Sequence, residues 1–297
     1  IYNHRALRDE LVGVEFHSGS DAEVLLPLLA RDDVDLADHL DGMFAFVICD
    51  EGRIIAGRDP LGIKPLYVGH RDGDVAFSSE LGALAGGGWA IEAVPPGHVW
   101  AEGELQRYYE VPPARTDGAT DDAAVIDWCE QLRERLDRAV AKRLLADVPV
   151  GAFLSGGLDS SIIAALAVRH LPDLQTFALG FEGSADLEAA RLVAEHLGTR
   201  HHEILVPEDE ILEVLPEVLL HLESWDADLV RSALPTYLVS RFAAEHLKVV
   251  LTGEGADELF AGYRYHADYR SDPVALQHEL RRSIANMAHT NLQRVDR

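Results

Sequence analysis

The chain has few cysteines and few basic residues, and both shortages narrow what it can be. Cys49 and Cys129 are the only two cysteines among its 297 residues. This excludes a disulfide scaffold and a zinc site built from cysteines, and it is typical of a reducing cytosol. The chain carries 26 lysines and arginines against 51 aspartates and glutamates, so its formal net charge is −25. Nonspecific nucleic-acid binding requires a basic surface, so we expect no nucleic-acid partner. From the low cysteine content we expect a cytoplasmic protein.

Long apolar runs are also missing from the sequence. Because a membrane-spanning helix needs about 18 or more consecutive apolar residues, the sequence predicts no membrane partner. The hydrophobic fraction of 47% is that of a globular protein. At about 150 residues per domain, the length predicts about two domains.

Lysine is especially scarce, because Lys64, Lys142 and Lys248 are the only three. An acidic surplus with few lysines is typical of proteins from salt-loving organisms. A GC-rich genome, which favours arginine codons over lysine codons, produces the same bias. Composition does not separate these two origins, but in either case the like charges repel one another in dilute buffer.

A polar stretch divides the chain into two parts of different composition. Residues 110–122 combine two prolines and a glycine with acidic and small residues, which is typical of a linker. We therefore predict three segments: an N-terminal domain over residues 1–112, a linker over 113–123 and a C-terminal domain over 124–297.

The N-terminal part contains short apolar runs separated by turns. Residues 43–50 and 53–56 are two such runs, and the pattern predicts antiparallel strands in an α+β domain. Residues 21–30 predict a helix, with Asp21 placed to cap its first turn. Cys49 ends an apolar run, so we expect its thiol to be buried.

The C-terminal part alternates helices and strands instead. Residues 121–145 predict a long helix with Val125, Cys129, Leu132, Leu136, Val140 and Leu144 on one apolar stripe, which favours a core position for Cys129. Strands and helices then follow in turn to residue 252. This alternation predicts right-handed crossovers and a parallel sheet, whose ligands bind beyond the carboxyl ends of the strands.

The most informative motif is Ser-Gly-Gly-Leu-Asp-Ser-Ser at residues 155–161, here called the serine loop. It follows a predicted strand and opens a predicted helix. Its glycines allow a tight turn, and its three hydroxyls and the free N–H groups at the helix start favour a phosphate or pyrophosphate. Asp159 would repel a bare phosphate, but it fits a carboxylate ligand of Mg²⁺. No lysine follows as in the Walker-type loop of kinases and GTPases.

A second motif, Thr-Gly-Glu-Gly-Ala-Asp-Glu at residues 252–258, is here called the acidic loop. It also follows a predicted strand, so both loops should lie at the same edge of the sheet. A solvated acidic turn is one interpretation of Glu254, Asp257 and Glu258. Beside the serine loop, the better interpretation is a second Mg²⁺ carboxylate and a residue that positions the nucleophile.

With these two loops the chain resembles glutamine-dependent asparagine synthetases, within the N-type ATP pyrophosphatases. The serine loop is highly specific for the pyrophosphatases, and residues 223–226, 230–232 and 235–237 narrow the resemblance to asparagine synthetases. The N-terminal part resembles the class II glutaminase domain of N-terminal-nucleophile hydrolases at residues 1–4, 18–21, 42–46, 57–62 and 77–80. The implied fold is an incomplete α+β domain of that type, followed by a Rossmann-like α/β ATP pyrophosphatase domain.

The resemblance implies a ligase that uses ATP and Mg²⁺. ATP would adenylate the β-carboxylate of L-aspartate, and β-aspartyl-AMP and pyrophosphate would result. Nitrogen from glutamine or ammonia would then attack the acyl carbon and give L-asparagine and AMP. The implied partners are these small molecules and a second copy in a homodimer.

The resemblance also assigns roles to residues. The ATP and pyrophosphate contacts would come from Phe153, Leu154, Ser155, Gly156, Gly157, Asp159, Ser160, Ser161, Leu179, Thr252 and Gly253. Asp159 and Asp257 would hold Mg²⁺, and Glu254 would act with Asp159 as a catalytic group. Asp21 would bind the α-amino group of glutamine. Arg231 would bind a carboxylate of aspartate, although a structural salt bridge explains this arginine equally well.

The N-terminal part departs from the family in its cysteines. The glutaminase nucleophile should be a cysteine at the mature N-terminus, and neither Cys49 nor Cys129 has that position. We therefore expect the chain to be a fragment that lacks both ends of the family sequence. Two alternatives stay open: an adenylating enzyme for another acid, such as a β-lactam synthetase, and an inert nucleotide-binding fragment.

Overall fold

The computed structural model describes residues 1–112 and 122–286. Most of the predicted linker, 113–123, lies outside these residues. None of the helices in this described part is long and apolar enough to cross a membrane. By its internal contacts the chain divides into unit 1, Ile1–Ala114 with Ala261–Arg297, and unit 2, Arg115–Phe260. The predicted domain boundaries stay a prediction.

The first part of the chain alternates short helices with hairpin strands. Its regular elements are α1 (His4–Glu10), α2 (Leu25–Asp32), β1 (Ala45–Asp50), β2 (Arg53–Arg58), β3 (Tyr67–Arg71), β4 (Asp74–Ser78), β5 (Ala90–Ala93), β6 (His98–Ala101) and β7 (Glu104–Arg107). Short 3-10 helices lie at Asp21–Val24, Asp33–His39 and Leu81–Ala83.

The second part has longer helices between single strands. Its elements are α3 (Asp122–Arg143), β8 (Val150–Phe153), α4 (Leu158–His170), β9 (Gln175–Gly180), α5 (Ala185–Leu197), β10 (Arg200–Leu205), α6 (Glu208–Glu213), α7 (Leu215–Leu222), α8 (Ala227–Ala244), β11 (Val249–Leu251), α9 (Ala256–Phe260) and α10 (Pro273–Asn286). One further 3-10 helix lies at Arg264–Tyr269.

Unit 1 contains two antiparallel sheets, ordered β1-β2-β6-β7 and β4-β3-β5. The β1–β2 hairpin turns at Glu51 and Gly52, whose φ angles are 47° and 89°. Positive φ at both central residues is what a tight hairpin with right-handed twist requires. The predicted antiparallel α+β arrangement is confirmed.

The expectation that Cys49 is buried is wrong, because its side chain is exposed. Side chains alternate along β1, so Phe46 and Ile48 face the core of unit 1 while Val47 and Cys49 face the other way. Val47, beside Cys49 on that face, is 47% exposed. An apolar run thus predicted the strand correctly but not which of its faces is covered.

Unit 1 also buries a charged turn at Arg58 and Asp59, which are 3% and 1% exposed. The Arg58 guanidinium donates hydrogen bonds of 2.8 to 2.9 Å to the carbonyls of Gly62, Lys64 and Val94. The Asp59 carboxylate accepts hydrogen bonds of 2.9 to 3.1 Å from the N–H groups of Leu61, Ile63 and Lys64. Both charges therefore brace the turn after β2, because buried polar groups need such partners.

Unit 2 is built on a parallel sheet ordered β10-β9-β8-β11, as predicted. β8 is the first of these strands in the chain and has both β9 and β11 beside it, so the strand order reverses there. In such sheets ligands bind where the order reverses, beyond the carboxyl ends of the strands. The serine loop follows β8 and the acidic loop follows β11, so both reach this position.

The apolar stripe of α3 is covered along only part of its length. Val140 is buried and Leu144 is partly buried, and both pack into the core beside α4 and α5. Val125 and Leu132 are 45% and 40% exposed. Cys129 is also exposed, so the prediction that it lies in the core is wrong. Periodicity places these residues on one face, but burial depends on what packs there. The first residue of the predicted helix, Asp121, lies outside the described residues.

Candidate active site

The serine loop connects β8 to α4 and packs closely against α5. Gly156 has φ +78°, and a Cβ built on it would lie 2.5 Å from Ala189 Cβ and 2.5 Å from the Ala190 nitrogen. A side chain fits neither this conformation nor this space, so a glycine is required here. The contact with α5 brings the loop main chain to the edge of the sheet, where a ligand can approach it.

The serine hydroxyls of this loop bind within the loop itself. The Oγ atoms of Ser155 and Ser160 lie 3.0 Å apart, and the Gly157 N–H donates to Ser155 Oγ at 3.3 Å. Ser161 Oγ donates to the Gly157 carbonyl at 2.6 Å. These bonds hold the loop in shape, and each hydroxyl would exchange a loop partner for a ligand oxygen. The N–H groups of the first turn of α4 have no intrahelical acceptors and, with the helix dipole, favour an anion.

The acidic loop lies directly against the serine loop. A Cβ built on Gly253 would lie 3.0 Å from Asp159 Cβ and 3.0 Å from the Ser160 nitrogen. The structure therefore brings the two predicted loops together, with a glycine where their main chains come closest. Thr252 Oγ1 accepts a hydrogen bond of 3.3 Å from the Glu254 N–H, which closes the turn after β11.

The carboxylates of the acidic loop influence one another. Part of the Glu254 side chain is open to solvent, but burial of the rest raises the pKa of its carboxyl, and the carboxylates of Glu258 and Asp257 raise that pKa further. A carboxyl group with a raised pKa is a candidate for proton transfer.

The donor set suits Mg²⁺ bound together with a nucleotide. Within residues 1–112 and 122–286, no group of three or more histidines, cysteines or acidic residues is arranged to hold a metal ion by itself. Mg²⁺ usually takes only one or two protein carboxylates and completes its shell with phosphate oxygens and water. Asp159, which is exposed, and Asp257, which is half-buried in the first turn of α9, fit that requirement.

Two family models match the chain. The asparagine synthase model matches residues 131–296, and the model of a glutamine amidotransferase domain matches residues 1–86. The first covers more than half of the chain. The chain belongs to the asparagine synthase family.

Similar proteins in this family come from plants, yeast and bacteria. Asparagine synthetase [glutamine-hydrolyzing] 3 of Arabidopsis thaliana is 42% identical over 283 residues, 89% of this chain and 48% of that protein. Asparagine synthetase B of Escherichia coli is 41% identical over 286 residues, 89% of this chain and 51% of that protein. The chain thus spans about half the length of these asparagine synthetases.

Likeness to solved structures is weaker. A glutamine phosphoribosylpyrophosphate amidotransferase from B. subtilis matches with a TM-score of 0.35 and 20% identity, over 72% of this chain and 48% of that one. A likeness this low does not indicate a shared function. The family membership rests on the sequence matches, and it agrees with the antiparallel sheets of unit 1 and the parallel sheet of unit 2.

The apolar residues assigned to the nucleotide pocket of this asparagine synthase family member differ in burial. Leu154 is fully buried in the core beside α4 and α5, so its side chain cannot contact a nucleotide. Its N–H donates to the Phe177 carbonyl at 2.8 Å. Phe153 and Leu179 are partly buried and pack against other clusters of unit 2. Their assignments stay predictions.

The two assigned substrate residues lie on exposed surfaces. Arg231 is 81% exposed on α8 and forms an ion pair of 3.3 Å with Asp228, so the salt-bridge alternative is realised in the structure. Asp21 is exposed, with half of its side-chain surface open to solvent. It is not the helix cap we predicted. Ser20 has that role, because its Oγ accepts the Ala22 N–H at 3.3 Å.

Sequence reasoning missed two features near the predicted site residues, one in each unit. One is the wall that α5 forms behind Gly156, since nothing in the sequence indicates which helix the loop touches. The other is Glu23, which binds the segment before Asp21. In a chain with 51 acidic residues, a single glutamate is not distinctive. The spacing of Glu23 from that segment also matches none of the motifs described above.

Proposed function

We propose that this chain belongs to an enzyme that makes L-asparagine from L-aspartate and ATP, through β-aspartyl-AMP, and releases AMP and pyrophosphate. The observation that carries the proposal is the contact between the serine and acidic loops, beyond the carboxyl ends of the neighbouring strands β8 and β11. A nucleotide in that position would have its phosphates at the start of α4. The name of the Escherichia coli relative, asparagine synthetase B [glutamine-hydrolyzing], supports the same reaction.

The serine loop would bind the leaving pyrophosphate. Its hydroxyls and the N–H groups that begin α4 would donate to phosphate oxygens, and the helix dipole would favour the developing negative charge. Asp159 and Asp257 would hold Mg²⁺, which neutralises phosphate charge when bound. Because the serine loop has no lysine for transfer of the terminal phosphoryl group, we place the cleavage between the α and β phosphates.

The acidic loop would act on the acyl group. Glu254 would support formation of the adenylate and take up the proton that ammonia loses as the amide forms, a task that fits a carboxyl with a raised pKa. Thr252 and Gly253 would line the AMP site. Arg231 is the candidate for a carboxylate of aspartate, and its ion pair with Asp228 would then open.

Unit 1 would supply nitrogen from glutamine. Asp21 would bind the α-amino group of glutamine, and ammonia is the alternative donor. Cys49 lies within β1 and Cys129 within α3, so we assign neither as the nucleophile. We place the enzyme in the cytoplasm and expect it to act as a homodimer without a nucleic-acid partner.

The products from ATP test the proposal. The protein expressed from its complete gene, given ATP, Mg²⁺, aspartate and ammonia, should release AMP and pyrophosphate in equal amounts. Asp159→Asn should abolish this reaction and leave the thermal unfolding midpoint nearly unchanged, because Asp159 is an exposed residue in the first turn of α4. Asp173→Asn, an exposed carboxylate before β9 at the other end of the sheet, is the matched control and should keep full activity. Release of ADP and phosphate would refute the assignment.

A further inference from the structure

Two carboxylates in one short helix of unit 1 have different surroundings. Asp21 and Glu23 both lie in the 3-10 helix Asp21–Val24. Half of the side-chain surface of Asp21 is open to solvent. Glu23 turns back onto the segment that precedes the helix, residues 17–20, and its side chain is 23% exposed. Val24, which follows Glu23, is fully buried and fixes this turn to the core.

Both oxygens of Glu23 bind donors from that segment. Glu23 Oε1 accepts the main-chain N–H of His17 at 2.5 Å. Glu23 Oε2 accepts the N–H of Ser18 at 3.0 Å and its hydroxyl at 2.7 Å. These hydrogen bonds, the one from His17 first, lower the pKa of the Glu23 carboxyl to about 2. Glu23 is therefore an ionised acceptor at every pH at which an enzyme of this kind would work.

Arg8 ties the same segment to α1. Its Nη2 lies 3.1 Å from Glu23 Oε2 and donates to the Ser20 carbonyl at 2.7 Å. Its guanidinium also lies over the Phe16 ring, 4.3 Å from the ring centroid. Charge-assisted hydrogen bonds thus connect residues 17–20 to α1 through Arg8 and to the 3-10 helix Asp21–Val24 through Glu23. Such bonds are shorter and stronger than neutral ones.

Residues 17–20 have little packing that could hold them in place without these hydrogen bonds. His17, Ser18 and Ser20 are exposed, and a Cβ built on Gly19 would meet nothing within 4 Å. Ser20 is the residue whose hydroxyl caps the helix that begins at Asp21. The position of Asp21 therefore follows from a segment that hydrogen bonds to Glu23 and Arg8 hold in place.

We propose that Glu23 is a positioning residue for glutamine: it holds residues 17–20 so that the Asp21 carboxylate meets the α-amino group of the substrate. The proposal rests on the glutamine-binding role of unit 1 given above. Glu23 itself would not touch glutamine, because its two oxygens are occupied by His17, Ser18 and Arg8. Its effect should appear in glutamine binding and not in the chemistry of the synthetase site.

Glu23→Gln tests this role in the protein expressed from its complete gene. The amide keeps the size of the side chain but removes its charge, and it turns an NH₂ group toward the donors of residues 17 and 18. We expect the KM for glutamine to rise about tenfold or more, since hydrogen bonds to charged groups contribute that much. The kcat of the glutaminase reaction should change little, and asparagine synthesis from ammonia should be unchanged.

Two comparisons separate positioning from general damage. Glu15→Gln changes an exposed glutamate just before the same segment and should leave the KM for glutamine unchanged. In an Asp21→Asn background, Glu23→Gln should raise that KM no further, because a residue that acts only through Asp21 has nothing left to position. Additive effects of the two substitutions would contradict the proposal.

The outcomes also distinguish this inference from the proposed function. If the unsubstituted protein makes asparagine from ammonia but neither binds nor hydrolyses glutamine, the role of unit 1 is wrong and the inference falls with it. If glutamine is used and Glu23→Gln leaves its KM unchanged, only the inference is overturned. Should Glu23→Gln lose ammonia-dependent activity through misfolding, Ser18→Ala decides: it removes a single donor to Glu23 and should still raise the KM for glutamine. An unchanged KM in that variant would overturn the inference.

Discussion

Two glutamates of this chain show how strongly surroundings decide the chemistry of one residue type. Hydrogen bonds from His17 and Ser18 lower the pKa of Glu23 to about 2, whereas burial beside Glu258 and Asp257 raises the pKa of Glu254. Donors that bind the charged form favour ionisation, and burial and like charges oppose it. Glu23 is therefore suited to hold structure, and Glu254 is suited to exchange a proton.

Glu254→Gln should reduce activity while it increases stability at high pH. A raised pKa in the folded state means that folding favours the protonated carboxyl. This stabilisation of the folded state is fully present below the ordinary pKa of 4.5. It is lost as the pH rises through the pKa that Glu254 has in the folded protein. At pH 8 the neutral glutamine side chain at position 254 avoids this loss, so the variant should have a higher urea midpoint than the parent protein. The difference should disappear near pH 4.

Activity and a control complete this test. Formation of AMP and pyrophosphate by Glu254→Gln should fall about 100-fold or more, as is typical when a group that transfers a proton is removed. Glu245→Gln changes an exposed glutamate at the end of α8 and should alter neither activity nor the urea midpoint. A Glu254→Gln variant less stable than the parent protein at pH 8 would contradict the assigned environment of Glu254.

At the scale of elements, the site depends on how two loops are set against helices. The serine loop is held on one side by α5, through Gly156, and meets the acidic loop on the other, through Gly253. Neither contact involves a long side chain, so neither can adjust by a change of rotamer. The distance between the two loops is thus set by main-chain packing.

Adjacent glycines of the serine loop should respond differently to a methyl group. Gly156→Ala places a Cβ 2.5 Å from Ala189 Cβ at φ +78°, and strain with overpacking should cost about 2 kcal/mol or more. Gly157 has φ −67°, and its Cβ would meet only Ser155 Oγ at 3.3 Å. Gly157→Ala is therefore the matched control and should cost less than about 1 kcal/mol. Urea unfolding followed by circular dichroism measures both, and equal losses would show that α5 does not confine the loop.

For the whole molecule, charge is the dominant feature. A formal net charge of −25 produces self-repulsion that favours expansion of the chain. Ion pairs such as Arg53–Asp33 and Arg191–Glu203 use part of the acidic surplus, but acidic residues outnumber basic ones almost two to one. Exposed ion pairs of this kind contribute little to stability.

Salt should therefore stabilise the protein. At about 1 M salt the Debye length falls to about 3 Å, so repulsion between surface carboxylates is largely screened. We expect the thermal unfolding midpoint to rise steadily between 0.1 M and 2 M KCl, concentrations at which the Debye length falls below about 10 Å. The same series in sorbitol controls for solute effects that do not depend on charge. A midpoint that stays constant or falls in KCl would show that the acidic surface reflects base composition alone.

Local sequence determined the elements of this protein and the order of its motifs. The serine loop was placed correctly between a strand and a helix, and α5 ends before Gly198, whose φ of 70° suits a residue that follows a helix. The parallel sheet of unit 2 also followed from the sequence, since alternating strands and helices admit few other arrangements. The patterns that predict these features are formed by residues close together in the chain.

Only the tertiary structure decided which surfaces are covered and which groups meet. The exposure of Cys49 and Cys129, the fit of Gly156 against α5 and the opposite pKa shifts of Glu23 and Glu254 all depend on neighbours distant in sequence, or on how a loop turns back. Periods of 2 and 3.6 residues show which side chains share a face, but they do not show what packs on that face. Burial and electrostatics are properties of the assembled chain, and for that reason they could not be obtained from its sequence alone.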